Sequence, residues 1–175
     1  MKILITGCAK TGTTLLRRLF NYFEIDVYNY KELSIEKFIE SPYSVAKRNF
    51  KTVFSNKLTE EEINTQLKLI KNNDIKIINI VRKKEDVIKE RVEALITEER
   101  YDESIAQLEK YRDYVTFNLN YEDLIDNPDN IQKKISEILD LKINTKFSQY
   151  PTEMDKIKEK KGKHHNTNYR LRKIG

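Results

Sequence analysis

A lysine and several threonines are grouped between two glycines close to the start of the chain, in the segment Gly7-Cys8-Ala9-Lys10-Thr11-Gly12-Thr13-Thr14. The segment follows an apolar run and leads into leucines and phenylalanines spaced as on one face of a helix. This pattern predicts a strand, a glycine-bounded loop and a helix. Such a loop presents backbone N–H groups and a helix N-terminus to an anion. The residue types therefore predict a binding site for a phosphate or a sulfate.

The two glycines have the spacing of a phosphate-binding P-loop, but the lysine stands elsewhere. In nucleoside-triphosphate P-loops the lysine directly follows the second glycine, and this chain has Thr13 at that position. Lys10 instead precedes that glycine by two residues. The displacement argues against a P-loop kinase of small metabolites, which stays open as a less favoured alternative.

The segment Lys10-Thr11-Gly12-Thr13-Thr14 resembles the loop of the sulfotransferase family, Pro-Lys-Ser/Thr-Gly-Thr-Thr, with Ala9 where proline is usual. The resemblance implies that the loop holds the 5′-phosphosulfate of 3′-phosphoadenosine 5′-phosphosulfate (PAPS), with no metal. Sulfuryl transfer depends on positioning and on stabilising charge at the bridging oxygen. The resemblance makes Lys10 the catalytic cation. It also implies four cofactor-binding residues: Thr11, Gly12, Thr13 and Thr14.

Two later segments resemble the same family. Arg82 ends the apolar run Ile75–Val81 and is similar to the family's strand-end arginine, which implies that it binds the 3′-phosphate of the donor. The family's serine eight residues later is replaced by Glu90, whose carboxylate would repel a phosphate. Tyr121 lies in Asn120-Tyr121-Glu122-Asp123-Leu124, similar to the family's Tyr-Glu-Asp-Leu segment. The resemblance implies a contact of Tyr121 with adenosine, whereas composition alone favours a core tyrosine, with Glu122 and Asp123 as structural caps.

The end of the chain is strongly basic. Residues 156–175 hold eight Lys or Arg against one Glu. Within them, Lys160-Lys161-Gly162 resembles the Arg-Lys-Gly element that closes over the 3′-phosphate in cytosolic sulfotransferases. That implies nucleotide binding by Lys161 and Gly162, and a solvated, mobile tail is the alternative. Nucleic acid is an unfavoured partner because no RNA-binding module is recognisable.

Length and composition favour one domain. The chain has 175 residues, 38% of them apolar, a net charge of +5 and a single cysteine, Cys8. One domain over 1–175 can bury a core of this size. A lone cysteine suits a reducing compartment, and no apolar run reaches the length of a membrane span, so we expect a cytoplasmic protein without a membrane partner. His164 and His165 lack the spacing of a metal site.

Strand-like and helix-like segments alternate along the chain. This alternation predicts an α/β fold with a three-layer, doubly wound parallel sheet and helices on both faces; the resemblance makes it a P-loop NTPase-like, sulfotransferase-like fold. We expect strands at 2–6, 25–28, 52–55, 75–81 and 115–120. We expect helices at 13–23 and 35–39, from the capping box Thr59/Glu62, after residue 82, at 103–113, and from Asn127 and Pro128 onward.

Taken together, the residues and the resemblance predict a sulfotransferase that moves a sulfuryl group from PAPS to a hydroxyl or amine of a small-molecule or carbohydrate acceptor. The family's usual histidine is absent from 54–58, where Lys57 is a candidate second cation. Three carboxylates are candidate bases, Glu32, Glu36 and Glu60. A sulfotransferase-like anion-binding protein with impaired transfer is the main alternative.

Overall fold

The computed structural model describes residues 1–29, 32–48, 58–89 and 97–150. Within these ranges the strands are β1 (Lys2–Gly7), β2 (Val45–Lys47), β3 (Ile75–Val81) and β4 (Phe117–Asn120). The helices are α1 (Thr13–Leu19), α2 (Ile35–Glu40), α3 (Glu60–Asn72), α4 (Lys84–Lys89), α5 (Glu98–Lys110), α6 (Tyr121–Asp126) and α7 (Pro128–Leu139). Short 3₁₀ turns lie at Phe20–Tyr22, Arg112–Tyr114 and Phe147–Gln149.

The four strands form one sheet in the order β2-β1-β3-β4, and every neighbouring pair is parallel. Because parallel strands run the same way, their carboxyl ends meet at one edge, which we call the carboxyl edge. The chain goes from β1 to β2 on one side and then to β3 on the other side of β1. The connections therefore diverge between β1 and β3, which is where open α/β sheets bind ligands.

Helices cover both faces of this sheet. On one face Ile3 and Ile5 of β1 pack in a core cluster with residues of α1 and α7. On the other face Leu4 packs with residues of α2 and α3. Burial on both faces explains why β1 and β3 read as nearly continuous apolar runs. The predicted α/β architecture with a parallel sheet and helices on both faces is confirmed.

Two predicted helix starts are present, with different caps. Glu62 donates its backbone N–H to Thr59 Oγ1 at 3.2 Å, and Thr59 donates its own to Glu62 Oε2 at 2.7 Å, which is the predicted capping box. Pro128 occupies the first turn of α7 as expected. Asn127 occupies the N-cap position of α7 as predicted, although its side chain makes no capping hydrogen bond.

The side of the sheet next to β2 differs from prediction. The segment predicted as a strand at 25–28 forms only an isolated parallel bridge between Val27 and Val45. The adjacent strand is β2, whose three residues are too few for a period-two pattern to reveal. The predicted strand at 52–55 lies outside the described residues.

Three other helix and strand boundaries differ from the predicted ones. The helix predicted over 13–23 ends at Leu19 and tightens into the 3₁₀ turn Phe20–Tyr22. The helix predicted over 103–113 begins at Glu98, because Thr97 caps it by accepting the N–H of Arg100. The last strand starts at Phe117 rather than at residue 115. In the part of the chain that the structure describes, no helix has both the length and the apolar character needed to cross a bilayer.

Candidate functional site

The loop between β1 and α1 requires glycine at both of its ends. A Cβ on Gly7 would lie 2.5 Å from the carbonyl oxygen of Ile80, because the end of β1 pairs closely with β3. Gly12 has φ +100°, a conformation that side chains disfavour. A Cβ on Gly12 would also lie 2.4 Å from Cδ2 of Tyr121. The glycine spacing thus arises from packing at both ends of the loop.

Thr11 closes the loop on itself. Its backbone N–H and its Oγ1 both donate to the carbonyl oxygen of Cys8, at 3.3 and 2.7 Å. The residue is 1% exposed. Because the hydroxyl proton is used inside the loop, Thr11 fixes the shape of the turn, and its predicted contact with a nucleotide stays a prediction.

Lys10 occupies the turn that Thr11 closes. Its φ is +71°, in the left-handed region, which costs roughly 1 kcal/mol for a residue with a side chain. Among the described residues no carboxylate forms an ion pair with Lys10. A strained conformation in a loop at the carboxyl edge is a pattern found at binding sites.

The first N–H groups of α1 point back toward this loop. Its N-cap is Gly12, which has no side chain to accept them, and the first turn holds no acidic residue. These N–H groups carry the positive end of the helix dipole. Thr13 is buried at 6% exposure, while Thr14 is half-buried. The geometry suits an anion that accepts from the first turn.

Arg82 and Tyr121 meet the loop from β3 and β4. Nη1 of Arg82 donates to the carbonyl oxygen of Lys10 at 3.3 Å, and its guanidinium carbon lies 4.5 Å from the centre of the Tyr121 ring. The hydroxyl of Tyr101 donates to the carbonyl oxygen of Arg82 at 2.7 Å. The structure therefore brings Lys10, Gly12, Arg82 and Tyr121 together, although they are far apart in sequence.

Tyr121 is 5% exposed and belongs to the core cluster beneath the loop. Its ring packs against Gly12 and against the guanidinium of Arg82. The residues that follow it have structural partners: Glu122 accepts the N–H of Lys83 at 3.2 Å, and Asp123 accepts from the Asn120 amide at 3.1 Å. Both carboxylates thus have structural partners, although the N-cap of their own helix, α6, makes no side-chain capping hydrogen bond.

The other predicted residues either lie outside the described ranges or are candidate bases. Four of them lie outside the described residues: Lys57, Glu90, Lys161 and Gly162. Among the candidate bases, Glu60 is exposed at the start of α3. Glu36 lies on α2.

Glu32 is the candidate base nearest to a strand end, with Oε1 3.9 Å from Nζ of Lys47. Sequence reasoning missed Lys47 because the short strand β2 was not recognised. Lys47 pairs with Ile5 of β1, and the next residue, Arg48, donates its N–H to the carbonyl oxygen of Ile5 at 2.9 Å. Arg17 of α1 is 5% exposed.

Burial shapes the electrostatics of these three cations. It lowers the pKa of Lys47, an effect that Glu32 opposes and Arg17 reinforces. Burial also lowers the pKa of Arg48, against the opposing effect of Glu36 and Glu32. The pKa of Arg17 is lowered by burial and by the neighbouring Arg18. Cations withdrawn from water in this way gain from a bound anion.

In the described residues no cluster of His, Cys, Asp or Glu is arranged to hold a metal ion. No protein-family model matches the sequence, and a search among curated proteins gives no match.

Proposed function

We propose that the protein is a sulfotransferase that takes a sulfuryl group from PAPS and gives it to a hydroxyl or amine. One observation carries the proposal: Lys10, held in a left-handed turn, stands beside a helix start without a side-chain cap at the carboxyl edge. This combination would let a compact cation and several N–H donors act on one bound anion. It suits charge developing on an oxygen between two anionic groups.

The described residues fit the two ends of such a donor. The first-turn N–H groups of α1, with Thr14, provide donors for the 5′-phosphate. Arg82 lies at the end of β3, on the far side of the loop from β2, and its guanidinium provides donors for a 3′-phosphate. Bound to both groups, the donor would span the loop with its sulfuryl group beside Lys10.

The position of the cation favours sulfuryl over phosphoryl transfer within this proposal. A P-loop kinase carries its lysine directly after the second glycine. In this chain that residue is Thr13, which is buried and provides no cation. Lys10 instead lies within the loop, two residues before Gly12.

Glu32 is the carboxylate that we propose as base for the acceptor. It lies 3.9 Å from Lys47, at the end of the strand next to β1. A general base must come within hydrogen-bond reach of the acceptor proton. Acceptors entering over β2 would meet Glu32 on one side and Lys10 on the other.

The first experiment tests which class of nucleotide the protein binds. We expect 3′-phosphoadenosine 5′-phosphate to raise the melting temperature, because a ligand that binds only the folded state stabilises it. ATP with Mg²⁺ should raise it less. Absence of a shift with the 3′-phosphorylated nucleotide at millimolar concentration would overturn the proposed function.

Transfer is then tested with Lys10→Gly. Glycine adopts φ +71° without strain, so this variant should keep the loop conformation and lose only the cation. We expect sulfuryl transfer from labelled PAPS to fall about 100-fold or more, with the melting temperature retained. Lys76→Gly, at the amino end of β3, is the distant control. Nucleotide binding without transfer in the wild type would identify the impaired anion-binding protein instead.

A further inference from the structure

Tyr101 of α5 reaches both halves of the proposed donor site. Its hydroxyl donates to the carbonyl oxygen of Arg82 at 2.7 Å, directly after the end of β3. Its side chain forms a small cluster with Val87 of α4, and Cys8 and Ala9 of the loop between β1 and α1 pack against that cluster. One side chain therefore lies between the backbone of Arg82 and the first residues of the loop.

This packing is separate from the cores on the two faces of the sheet. Among the described residues, the cluster of Val87 and Tyr101 shares no member with either of the two large core clusters. Tyr101 is 9% exposed, so its ring is almost fully withdrawn from water. The ring is thus buried against residues of the site rather than within a core of the sheet.

Ion pairs hold the start of α5 in this place. Nζ of Lys84 lies 2.7 Å from Oδ2 of Asp102 and 3.5 Å from Oε2 of Glu98. Lys84 begins α4, and Asp102 directly follows Tyr101 on α5. Because these carboxylates are exposed, each ion pair is weak. The hydroxyl of Tyr101 adds a more buried contact between α5 and the end of β3.

The contacts of Arg82 connect the two halves of the site. Its Nη1 donates to the carbonyl oxygen of Lys10 at 3.3 Å. The guanidinium can make this bond only while the backbone of Arg82 stays in place. Tyr101 fixes that backbone through its hydroxyl and packs on the start of the loop through its ring. The positions of Arg82 and of Lys10 are therefore linked through one side chain of α5.

We infer that Tyr101 is a positioning residue of the donor site. The inference rests on the proposed function and deepens it: Tyr101 holds Arg82 and the loop at the separation that a nucleotide with both a 3′-phosphate and a 5′-phosphate requires. Tyr101 acts through these neighbours, because its hydroxyl proton is used on the carbonyl oxygen of Arg82. The hydroxyl positions Arg82, and the ring positions the loop.

Matched nucleotides test the role of the hydroxyl. 3′-Phosphoadenosine 5′-phosphate and adenosine 5′-phosphate differ only in the 3′-phosphate, and both are titrated by calorimetry. In Tyr101→Phe we expect the affinity for the first to fall about fivefold, as for the loss of one hydrogen bond, with the affinity for the second retained within about twofold. A variant that was merely less stable would lose affinity for both nucleotides alike.

Hydrogen exchange in the free protein tests the role of the ring. The N–H of Thr11 donates to the carbonyl oxygen of Cys8, so its exchange rate measures the opening of the loop. Tyr101→Leu should accelerate this exchange about tenfold, whereas Tyr101→Phe, which keeps the ring, should leave it within about twofold. Tyr111, 8% exposed at the opposite end of α5, is the matched control: Tyr111→Phe and Tyr111→Leu should change neither the ratio of the two affinities nor this exchange.

The two measurements separate the inference from the proposed function. A wild type that does not prefer the 3′-phosphorylated nucleotide would overturn the donor assignment, and with it the selection ascribed to Tyr101. A wild type with this preference, and the same preference in Tyr101→Phe, would overturn the inference and keep the proposed function. Unchanged exchange at Thr11 in Tyr101→Leu would likewise overturn the positioning of the loop. Circular dichroism of each variant establishes that it is folded.

Discussion

At the scale of single residues, the loop depends on backbone conformations that its sequence only partly explains. Gly12 is required twice, by its φ of +100° and by the Tyr121 ring that takes the place of a Cβ. Lys10 adopts a left-handed φ although it has a side chain. Thr11 compensates for this strain by closing the turn onto Cys8. Strain and compensation lie within three neighbouring residues, so small substitutions there should have large effects.

Gly12→Ala should destabilise the fold by about 2–4 kcal/mol, the sum of backbone strain and overpacking against Tyr121. Urea denaturation measures this change in the free energy of unfolding. In a double-mutant cycle with Tyr121→Leu, the overpacking part should disappear while the backbone strain persists. Additive effects of the two substitutions would show that the ring does not restrict this position.

At the scale of elements, a half-buried lysine joins the sheet to a helix. Nζ of Lys2, at the start of β1, donates to the carbonyl oxygens of Phe38, Ser41 and Tyr43, at 3.0, 2.6 and 2.7 Å. The first of these belongs to the last turn of α2, and a cation is favourable at a helix C-terminus. This contact fixes the start of the connection that leads into β2.

Lys2→Met should lower the free energy of unfolding by about 2 kcal/mol, because three carbonyl oxygens lose a charged donor while the apolar stem is kept. Thermal or urea denaturation measures the difference. Lys76→Met is the matched control: its exposed ion pair with Asp74 is worth about 0–1 kcal/mol. Equal losses in the two variants would contradict a specific role for Lys2 at the end of α2.

At the scale of the whole molecule, positive charge gathers at the carboxyl edge of the sheet. Five cations come from four separate elements or loops, and the parallel strand order brings them to one edge: Lys10, Arg17, Lys47, Arg48 and Arg82. Charge of one sign in a confined region attracts ligands of the other sign. Among these cations, Lys47 opposes folding in its charged form because burial removes it from water.

Lys47 should make stability depend on pH in the alkaline range. Burial holds its folded-state pKa below the ordinary value of 10.5. Between the folded-state pKa and 10.5, Lys47 is protonated more in the unfolded chain than in the folded one. The contribution of Lys47 to stability therefore rises with pH over this range. Lys47→Met should therefore be more stable than the wild type, and the excess should be largest at pH values below the folded-state pKa of Lys47. This difference in the free energy of unfolding should narrow toward pH 10.5. Denaturation series of both proteins at several pH values measure this, and a difference that widens with pH would contradict it.

Much of the fold was predictable because its signals are local. The apolar run Ile75–Val81 predicts a strand buried on both faces, and Thr59 with Glu62 predicts the start of α3, since each pattern depends only on neighbours in sequence. The strand β2 was not predictable, because three residues carry no period. Its position is decided by pairing with β1, across more than 40 residues of chain.

The sequence by itself determined that a glycine-bounded loop joins a strand to a helix, because both patterns need only local geometry; anion binding by this loop stays a prediction. Only the tertiary structure decided that Tyr121 lies under Gly12, that Arg82 contacts the carbonyl of Lys10, and that Lys47 ends a strand beside the loop. The physical reason is the order of the parallel strands. Strand order gathers their carboxyl ends at one edge whatever the distance in sequence, and no local pattern encodes it.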